Sequence, residues 1–436
     1  MAHFGVLAPP LHGHLNPLLA LATALTERGH AVTFFNIPDV EQKIRKAGHR
    51  IEVVGRASYP LGWLPTLQAV TGRLNSLAAM LHWNEEGCYM AEQLYEEYAE
   101  DIAKTGVDYL LVDQIDILGG TLAEYLDIPF VSICDTLITN WEEGIPPSFV
   151  GNAYSSAPEA RATNRVMFDA IQRGFEPVTR LINRVRATWG LPAFASADNY
   201  FPQSPLATIS QQPRAFDFPR RALPTTFHYV GPMRLPEADE GPFPYERLTG
   251  QPLVYASLGT LVNGNTHLFH AIAAACAPLD VQLVLAVGHG NDLAEFRQLP
   301  GAPLVVQYAP QQALLQSATL AITHAGLNTV LDCLIHGVPM VAIPVSFDQP
   351  GIAARVQWTG VGEVVPLKRA GEEAIRRAVQ ALLADAGYGQ RVRALQAQLD
   401  PEGGAARAAT LLHDLVRQAT PRLAPARART LDLAIN

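Results

Sequence analysis

The sequence predicts an α/β protein of two Rossmann-like domains that face each other across a cleft. Three observations carry this expectation. The chain has 436 residues, more than one ordinary core accommodates, so two domains are favoured. Short apolar runs alternate with helical stretches in both halves, the pattern of parallel strands joined by crossover helices. Between the halves lies a stretch of weak periodicity with Pro202, Pro205, Pro213, Pro219, Pro224, Pro232, Pro236, Pro242 and Pro244, which has the composition of a linker. The expected units are an N-terminal domain over 1–220, a linker over 221–250, a C-terminal domain over 251–418 and a flexible tail over 419–436. The tail is rich in Pro, Arg and Ala and has no clear apolar face.

His3–Ala8 is a short apolar run, followed by a loop over Pro9–Leu15. Asn16-Pro17 then opens a helix, with Asn as the cap and Pro at the first helical position. Leu18, Leu21, Ala22 and Leu25 share one face of that helix, and Gly29 ends it. Ala31–Phe35 is the next strand, which completes a βαβ unit. Tyr109–Val112 is a later strand of the same half, while 58–100 and 140–200 are helical. In the second half, strands are predicted at Leu253–Ser257, Val281–Val287, Leu304–Gln307, Leu320–Thr323, Met340–Pro344 and Gly362–Val365. Helices are predicted at Thr266–Ala277, Gln311–Ser317, Thr329–His336 and Ile352–Trp358, with 371–418 closing the domain.

Composition removes several classes of function. Apolar residues at 48% and charged residues at 17% describe a well-filled globular chain, not a disordered one. Lys and Arg number 32 against 41 Asp and Glu, without the basic stripe of a nucleic-acid binder. Cys88, Cys134, Cys276 and Cys333 are widely spaced and form no metal-binding cluster, so reduced thiols in a cytoplasmic protein are expected. The opening MAHFGVLAPP lacks the features of a secretory signal. The apolar stretch Ala271–Val287 is broken by Pro278 and Asp280 and falls short of the ~18 residues of a membrane span. Peripheral contact with a membrane stays open.

The most informative segment runs from Val306 to Gly351. The strand ending at Thr323 enters a tight turn, His324-Ala325-Gly326-Leu327, and a helix begins at Asn328-Thr329. A helix N-terminus offers free N–H groups and partial positive charge, which attract phosphate. His324 and Thr329 add side-chain donors there, Gly326 permits close backbone approach, and Asp332 can accept from ribose hydroxyls. A neighbouring strand delivers Phe347-Asp348-Gln349, whose two polar groups suit sugar hydroxyls. A third strand end, Tyr308-Ala309-Pro310-Gln311, offers an aromatic face for a base.

This segment resembles the donor-binding signature of the family 1 UDP-glycosyltransferases. Their pattern runs from an aromatic-x-Pro-Gln start through H-x-G-x-N-[ST]-x-x-[DE] and Gly-Val-Pro to a closing acidic-Gln pair. The chain matches at Pro310, Gln311, His324, Gly326, Asn328, Thr329, Asp332, Gly337, Val338, Pro339, Asp348 and Gln349. It differs from plant members in Tyr308, usually Trp, and Asp332, usually Glu. The resemblance implies a GT-B fold and an inverting hexosyltransferase. Tyr308 would stack on uracil, Gln311 and Asp332 would hold the ribose, and His324, Asn328 and Thr329 would bind the diphosphate. Asp348 and Gln349 would hold the transferred sugar, and Ser257, Gly259 and Thr260 would form a turn near the phosphates. No metal or other cofactor is expected, because the helix N-terminus and its side chains can carry the diphosphate charge.

Inverting transfer needs a base for the acceptor hydroxyl, and histidine suits that task. The loop Leu11-His12-Gly13-His14-Leu15-Asn16-Pro17 follows the first strand. His14 matches the family's base through Gly13-His14…Pro17, and His12 is the competitor. Asp113, at the end of the strand Tyr109–Val112, matches the family's partner aspartate. Asp116 competes for that role, and Asp113 has an alternative reading as a helix cap near Gly119.

The resemblance extends along most of the chain to the bacterial zeaxanthin glucosyltransferases. HFGVLAPP, VDQIDILGGTLAEYLDIPFVSI, SPLATISQQPRAFDFPRRALPTTFHYVGP, YASLGTL, LAITHAGLNTVLD and FDQPGIAAR carry it. It implies a long apolar diol as acceptor, with a macrolide, flavonoid or other lipophilic alcohol as the alternative; the Asp348-Gln349 end favours UDP-glucose as donor, with dTDP-sugars as the alternative. Trp63, Trp83, Trp141 and Phe149 are the expected acceptor-pocket aromatics, with core packing as the competing reading. A two-carboxylate glycosidase is rejected because it needs no phosphate-binding helix. A non-hydrolysing UDP-sugar epimerase would lack this signature and the base loop. A non-catalytic nucleotide-sugar-binding protein is the remaining reading of another class.

Overall fold

The computed structural model describes residues 1–418 except 73–75, 196–197, 236–242, 260–263, 289 and 401. The predicted tail at 419–436, part of the linker and Thr260 therefore lie outside the described residues.

The first half forms a seven-stranded sheet of β1 (His3–Leu7), β2 (Ala31–Asn36), β3 (Arg50–Val53), β4 (Tyr109–Asp113), β5 (Phe130–Cys134), β6 (Thr208–Ser210) and β7 (Phe227–Tyr229). The second forms a six-stranded sheet of β8 (Leu253–Ser257), β9 (Gln282–Ala286), β10 (Leu304–Val306), β11 (Ala318–Thr323), β12 (Met340–Ala342) and β13 (Gly362–Val364). Every pairing is parallel, in the orders β3-β2-β1-β4-β5-β6-β7 and β10-β9-β8-β11-β12-β13. β4 (YLLVD) and β5 (FVSIC) are buried along their whole length, as strands covered by helices on both faces must be. Strand order reverses between β1 and β4 and again between β8 and β11. In open parallel sheets, ligands bind at the C-terminal ends of strands beside such a reversal. The fold thus designates the loops after β1, β4, β8 and β11 before any side chain is considered.

Three expectations are corrected. The first helix runs His12–Glu27 and begins five residues before the predicted first helical position, so Pro17 lies inside it. The linker begins later than 221, because Phe227–Tyr229 still pairs with β6. The last helix, Ala405–Gln418, does not close the second domain. Ala408, Ala409 and Leu412 pack into the core of the first, and Arg28 on the first helix donates to Ala406 O and Thr410 Oγ1. A local apolar pattern identifies a helix but does not say which core will take its face. Among the described residues, no helix is long and apolar enough to cross a membrane.

Candidate active site

β1 ends at the His12–Glu27 helix and β4 ends at Asp113, so the reversal in the first sheet brings these two together. His14 is buried there, and its Nδ1 lies 2.7 Å from Asp113 Oδ2. The other Asp113 oxygen accepts from the backbone N–H of Ile115 at 3.0 Å, which fixes the carboxylate. Asp116, the competitor, turns away and accepts from Leu118 N–H and Gly119 N–H at 3.1 and 2.7 Å. The capping role considered for Asp113 therefore belongs to Asp116. Its burial raises its pKa to about 6. His12 is exposed in the same cavity, while His14 alone of the two meets Asp113.

A second carboxyl, which sequence reasoning missed, faces the same imidazole. Asp135 follows β5, and its Oδ1 stands 3.2 Å from His14 Nδ1. Burial alone would lower the His14 pKa, but the charges of Asp135 and Asp113 outweigh it and hold the imidazole well above its usual value. Among the described residues, His14, Asp113 and Asp135 bring candidate metal-ligand atoms within 4.8 Å of one another. The 2.7 Å contact has the length of a charge-assisted hydrogen bond.

The opposite wall rises from β8 and β11. His324 follows β11 and is wedged between two glycines. A Cβ on Gly259 would come within 2.6 Å of its ring, and one on Gly326 closer still. Gly259 also has φ +75°, which L residues rarely adopt. Burial lowers the His324 pKa to about 4, so the ring is neutral near neutral pH. Its Nδ1 is buried without a hydrogen-bond partner among the described residues. Ala325 and Phe347 hold positive φ values of 66° and 55°, the local strain that ligand-shaping turns carry. The helix Leu327–His336 then begins, capped by Gly326. Asn328 therefore lies inside the first turn instead of capping it. Thr329 is buried at that turn and lines the cavity, as do Ser257, Gly259, Asp348 and Gln349. Tyr308 lines it too and is half exposed.

The two walls meet through contacts that sequence reasoning did not anticipate. Pro17 has no N–H to give Gly13 O, its partner four residues back. That carbonyl accepts instead from Asn328 Nδ2 across the cleft, at 2.7 Å. Asn328 Oδ1 accepts from Gln211 Nε2 at 3.0 Å. Arg234, from the linker, donates Nε–H to Asp332 Oδ1, Nη1–H to Gln211 Oε1 and Nη2–H to Asn328 O. The other Asp332 oxygen accepts from Gln311 Nε2 at 2.7 Å. Gln311 and Asp332, expected to share a ribose, are thus mutually bonded, and Arg234 is part of that group. Asp348 Oδ2 accepts from Leu137 N–H at 3.0 Å, which ties the sugar-side loop to the first domain. Gln349 Oε1 accepts from the N–H groups of Val345 and Ser346 and holds that loop closed. The buried Asp217 carboxylate, between β6 and β7, pairs with Arg355 of the second domain at 2.8 Å.

Between the walls lies a cavity of about 930 Å³, at the upper end of the ~300–1,000 Å³ typical of small-molecule sites. Of the four expected pocket aromatics, Trp83 and Phe149 line it. Trp63 and Trp141 do not. Trp63 stacks edge-on against Tyr59, and Trp141 packs on Phe168 under Arg165. Both fill structure behind the cavity. The apolar side is completed by Met80, Met90, Tyr98, Phe175 and Phe201. Asp135 had one signal in the sequence: it directly follows the next strand in the chain after that of Asp113. Arg234 and Gln211 had none, because their partners lie far away in the chain.

A family model described as UDP-glucoronosyl and UDP-glucosyl transferase matches residues 63–398. Zeaxanthin glucosyltransferase of Pseudescherichia vulneris is 35% identical over 431 residues, covering 95% of this chain and 98% of the relative. That of Pantoea ananas is 34% identical over 443 residues, covering 97% and 98%. Among solved structures, the calicheamicin glycosyltransferase CalG4 superposes with a TM-score of 0.72 at 22% identity, covering 97% of this chain and all of that one. The kitacinnamycin glycosyltransferase gives the same TM-score at 23% identity, covering 95% and 98%. These likenesses establish the two-domain GT-B architecture.

Proposed function

The chain belongs to the UDP-glucoronosyl and UDP-glucosyl transferase family, and from that premise we propose that it moves glucose from UDP-glucose to a hydroxyl of a lipophilic alcohol, with inversion. The favoured acceptor is zeaxanthin or a related hydroxylated carotenoid. The observation that carries this reading is the His14–Asp113 pair at the mouth of an apolar chamber, opposite a turn fit for a diphosphate.

In the proposed reaction, Asp113 holds the Nδ1–H of His14, and Nε2, once it has given up its own proton, is the base. The acceptor O–H proton passes to Nε2 while the oxygen attacks the anomeric carbon. The bond from that carbon to the β-phosphate oxygen breaks, and its electron pair leaves with UDP. The N-terminus of Leu327–His336 and the Thr329 hydroxyl receive the diphosphate charge. His324 is neutral and contributes a hydrogen bond, not charge. Tyr308 faces the uracil, the Gln311–Asp332 pair meets the ribose, and Asp348 and Gln349 hold the glucose. No metal takes part.

The apolar lining and the two named relatives support a carotenoid acceptor. A membrane is the natural reservoir for such a molecule. Leu61, Val70 and Leu81 are exposed beside the helices that wall the chamber, which supports peripheral contact with its cytoplasmic face. The test is to incubate the protein with UDP-glucose and zeaxanthin in detergent, a flavonol or a macrolide, and to seek added hexose by mass spectrometry. Hexose on zeaxanthin is expected. Hexose only on another acceptor would overturn the carotenoid reading.

A further inference from the structure

The Nδ1 side of His14 faces more charge than a base–orienter pair requires. Asp113 already supplies the short hydrogen bond and is itself fixed by Ile115 N–H. Asp135 approaches the same nitrogen to 3.2 Å from the next strand. It is 1% exposed, and neither of its oxygens takes a hydrogen bond from a backbone group or cap. A buried carboxyl without such donors is costly, and the polar side chains that this one meets are the imidazole and the Asp113 carboxyl. The cavity wall includes both His14 and Asp135, so the pair sits where an acceptor hydroxyl would arrive.

We propose that Asp135 is a positioning residue, a second carboxyl that raises the proton affinity of His14 and suits the site to aliphatic alcohols over phenols. This rests on His14 being the general base, as proposed above. The chemistry differs sharply between the two acceptor classes. A phenol gives up its proton near pH 10. An aliphatic hydroxyl holds it far more tightly, about as tightly as bulk water does. Once deprotonated, a base of higher proton affinity assists the second more, because the driving force for proton transfer follows Brønsted behaviour. Burial and the Asp113 charge raise the pKa of Asp135 itself, so the three groups titrate as one unit. The other groups near this unit are Asp348 from the second domain, which His14 influences, Asp116 behind Asp113, and the buried Cys134 thiol, which both carboxylates influence; His12 lies on the same helix as His14. None of them lies as near to Nδ1 as Asp135.

The test compares wild type with Asp135→Asn, and with Asp135→Ser should the amide fail to fold. The His14 imidazole is titrated by NMR in histidine-labelled full-length protein, assigned with a His14 variant. Its midpoint is expected to fall by about one pH unit or more on loss of the carboxyl. In parallel, kcat/KM is measured against pH for a cyclic aliphatic alcohol and for a phenol. The acidic limb should move down in the variant. Above that limb, transfer to the alcohol should fall about ten-fold further than transfer to the phenol. An unchanged His14 midpoint, or equal losses on both acceptors, would overturn the role of Asp135. Wild-type protein that glucosylates neither acceptor would count against the proposed reaction instead, and the titration would still decide the claim about Asp135.

Discussion

Replacing Asp217 with Asn would strip the charge from a buried junction between the domains. Asp217 Oδ1 accepts from Arg355 Nε at 2.9 Å, and Oδ2 accepts from Arg220 Nε and Tyr229 Oη, each at 2.9 Å. The side chains of Asp217, Arg355 and Arg220 are 1%, 0% and 3% exposed. The variant would leave two buried guanidinium groups facing a neutral amide, a loss of about 3–5 kcal/mol. That is a large part of the ~5–15 kcal/mol that holds a typical domain folded. Burial alone would raise the Asp217 pKa, but the charges of Arg355 and Arg220 prevail and lower it. Because the folded value is depressed, the stabilisation is complete above the unfolded value of about 3.9 and is lost as pH falls through the folded value. The penalty should therefore be full at pH 7. It should shrink only in acid, where the wild type also becomes protonated. Trp358 lies edge-on to Phe218 at this junction, 6.0 Å between ring centres, so its fluorescence should follow opening during urea denaturation. Arg355 lies in the helix Gln349–Thr359 that begins beside Asp348, so the donor KM should rise as well. A stability loss below ~1 kcal/mol, the size of an exposed pair, would refute the reasoning.

Other outcomes follow from the same geometry. His14→Ala should lower turnover by about 10²–10⁴ while isothermal titration still detects UDP binding; retained turnover would move the base to His12 or elsewhere. Dialysis against EDTA should leave transfer intact, and a strict need for a divalent metal would contradict the role given to the helix N-terminus. Gly259→Ala should weaken UDP binding, because the new Cβ would meet the His324 ring at 2.6 Å and the positive φ would cost roughly 1–2 kcal/mol. Unchanged UDP affinity would remove that turn from the donor site.

Much of the fold was legible because parallel strands are continuous apolar runs. β8 and the helix Gln311–Ser317 have the predicted bounds, and the other strands of the second half differ by one or two residues at an end. Helix starts were less legible. Asn16-Pro17 has the form of a cap and first turn, yet the helix begins at His12 and tolerates Pro17, because the freed Gly13 carbonyl finds Asn328. That partner is 315 residues away, and no local pattern could reveal it. The same reason hid Arg234 and Gln211, and the docking of Ala405–Gln418 on the first domain. His14 and Asp113 were found by motif, and Asp135 required knowing that β4 and β5 are neighbours. Trp63 and Trp141 were misassigned because composition cannot say on which side of a helix wall an aromatic points.

The central claim is a single displacement at the anomeric carbon, driven by His14 on an incoming alcohol. The measurement that tests it most directly is the anomeric configuration of the product, read by proton NMR of the purified glucoside. UDP-glucose carries an α linkage, so one in-line attack must give a β-glucoside, and this is the predicted result. An α-glucoside would require a retaining course and would contradict the mechanism built on the His14–Asp113 pair.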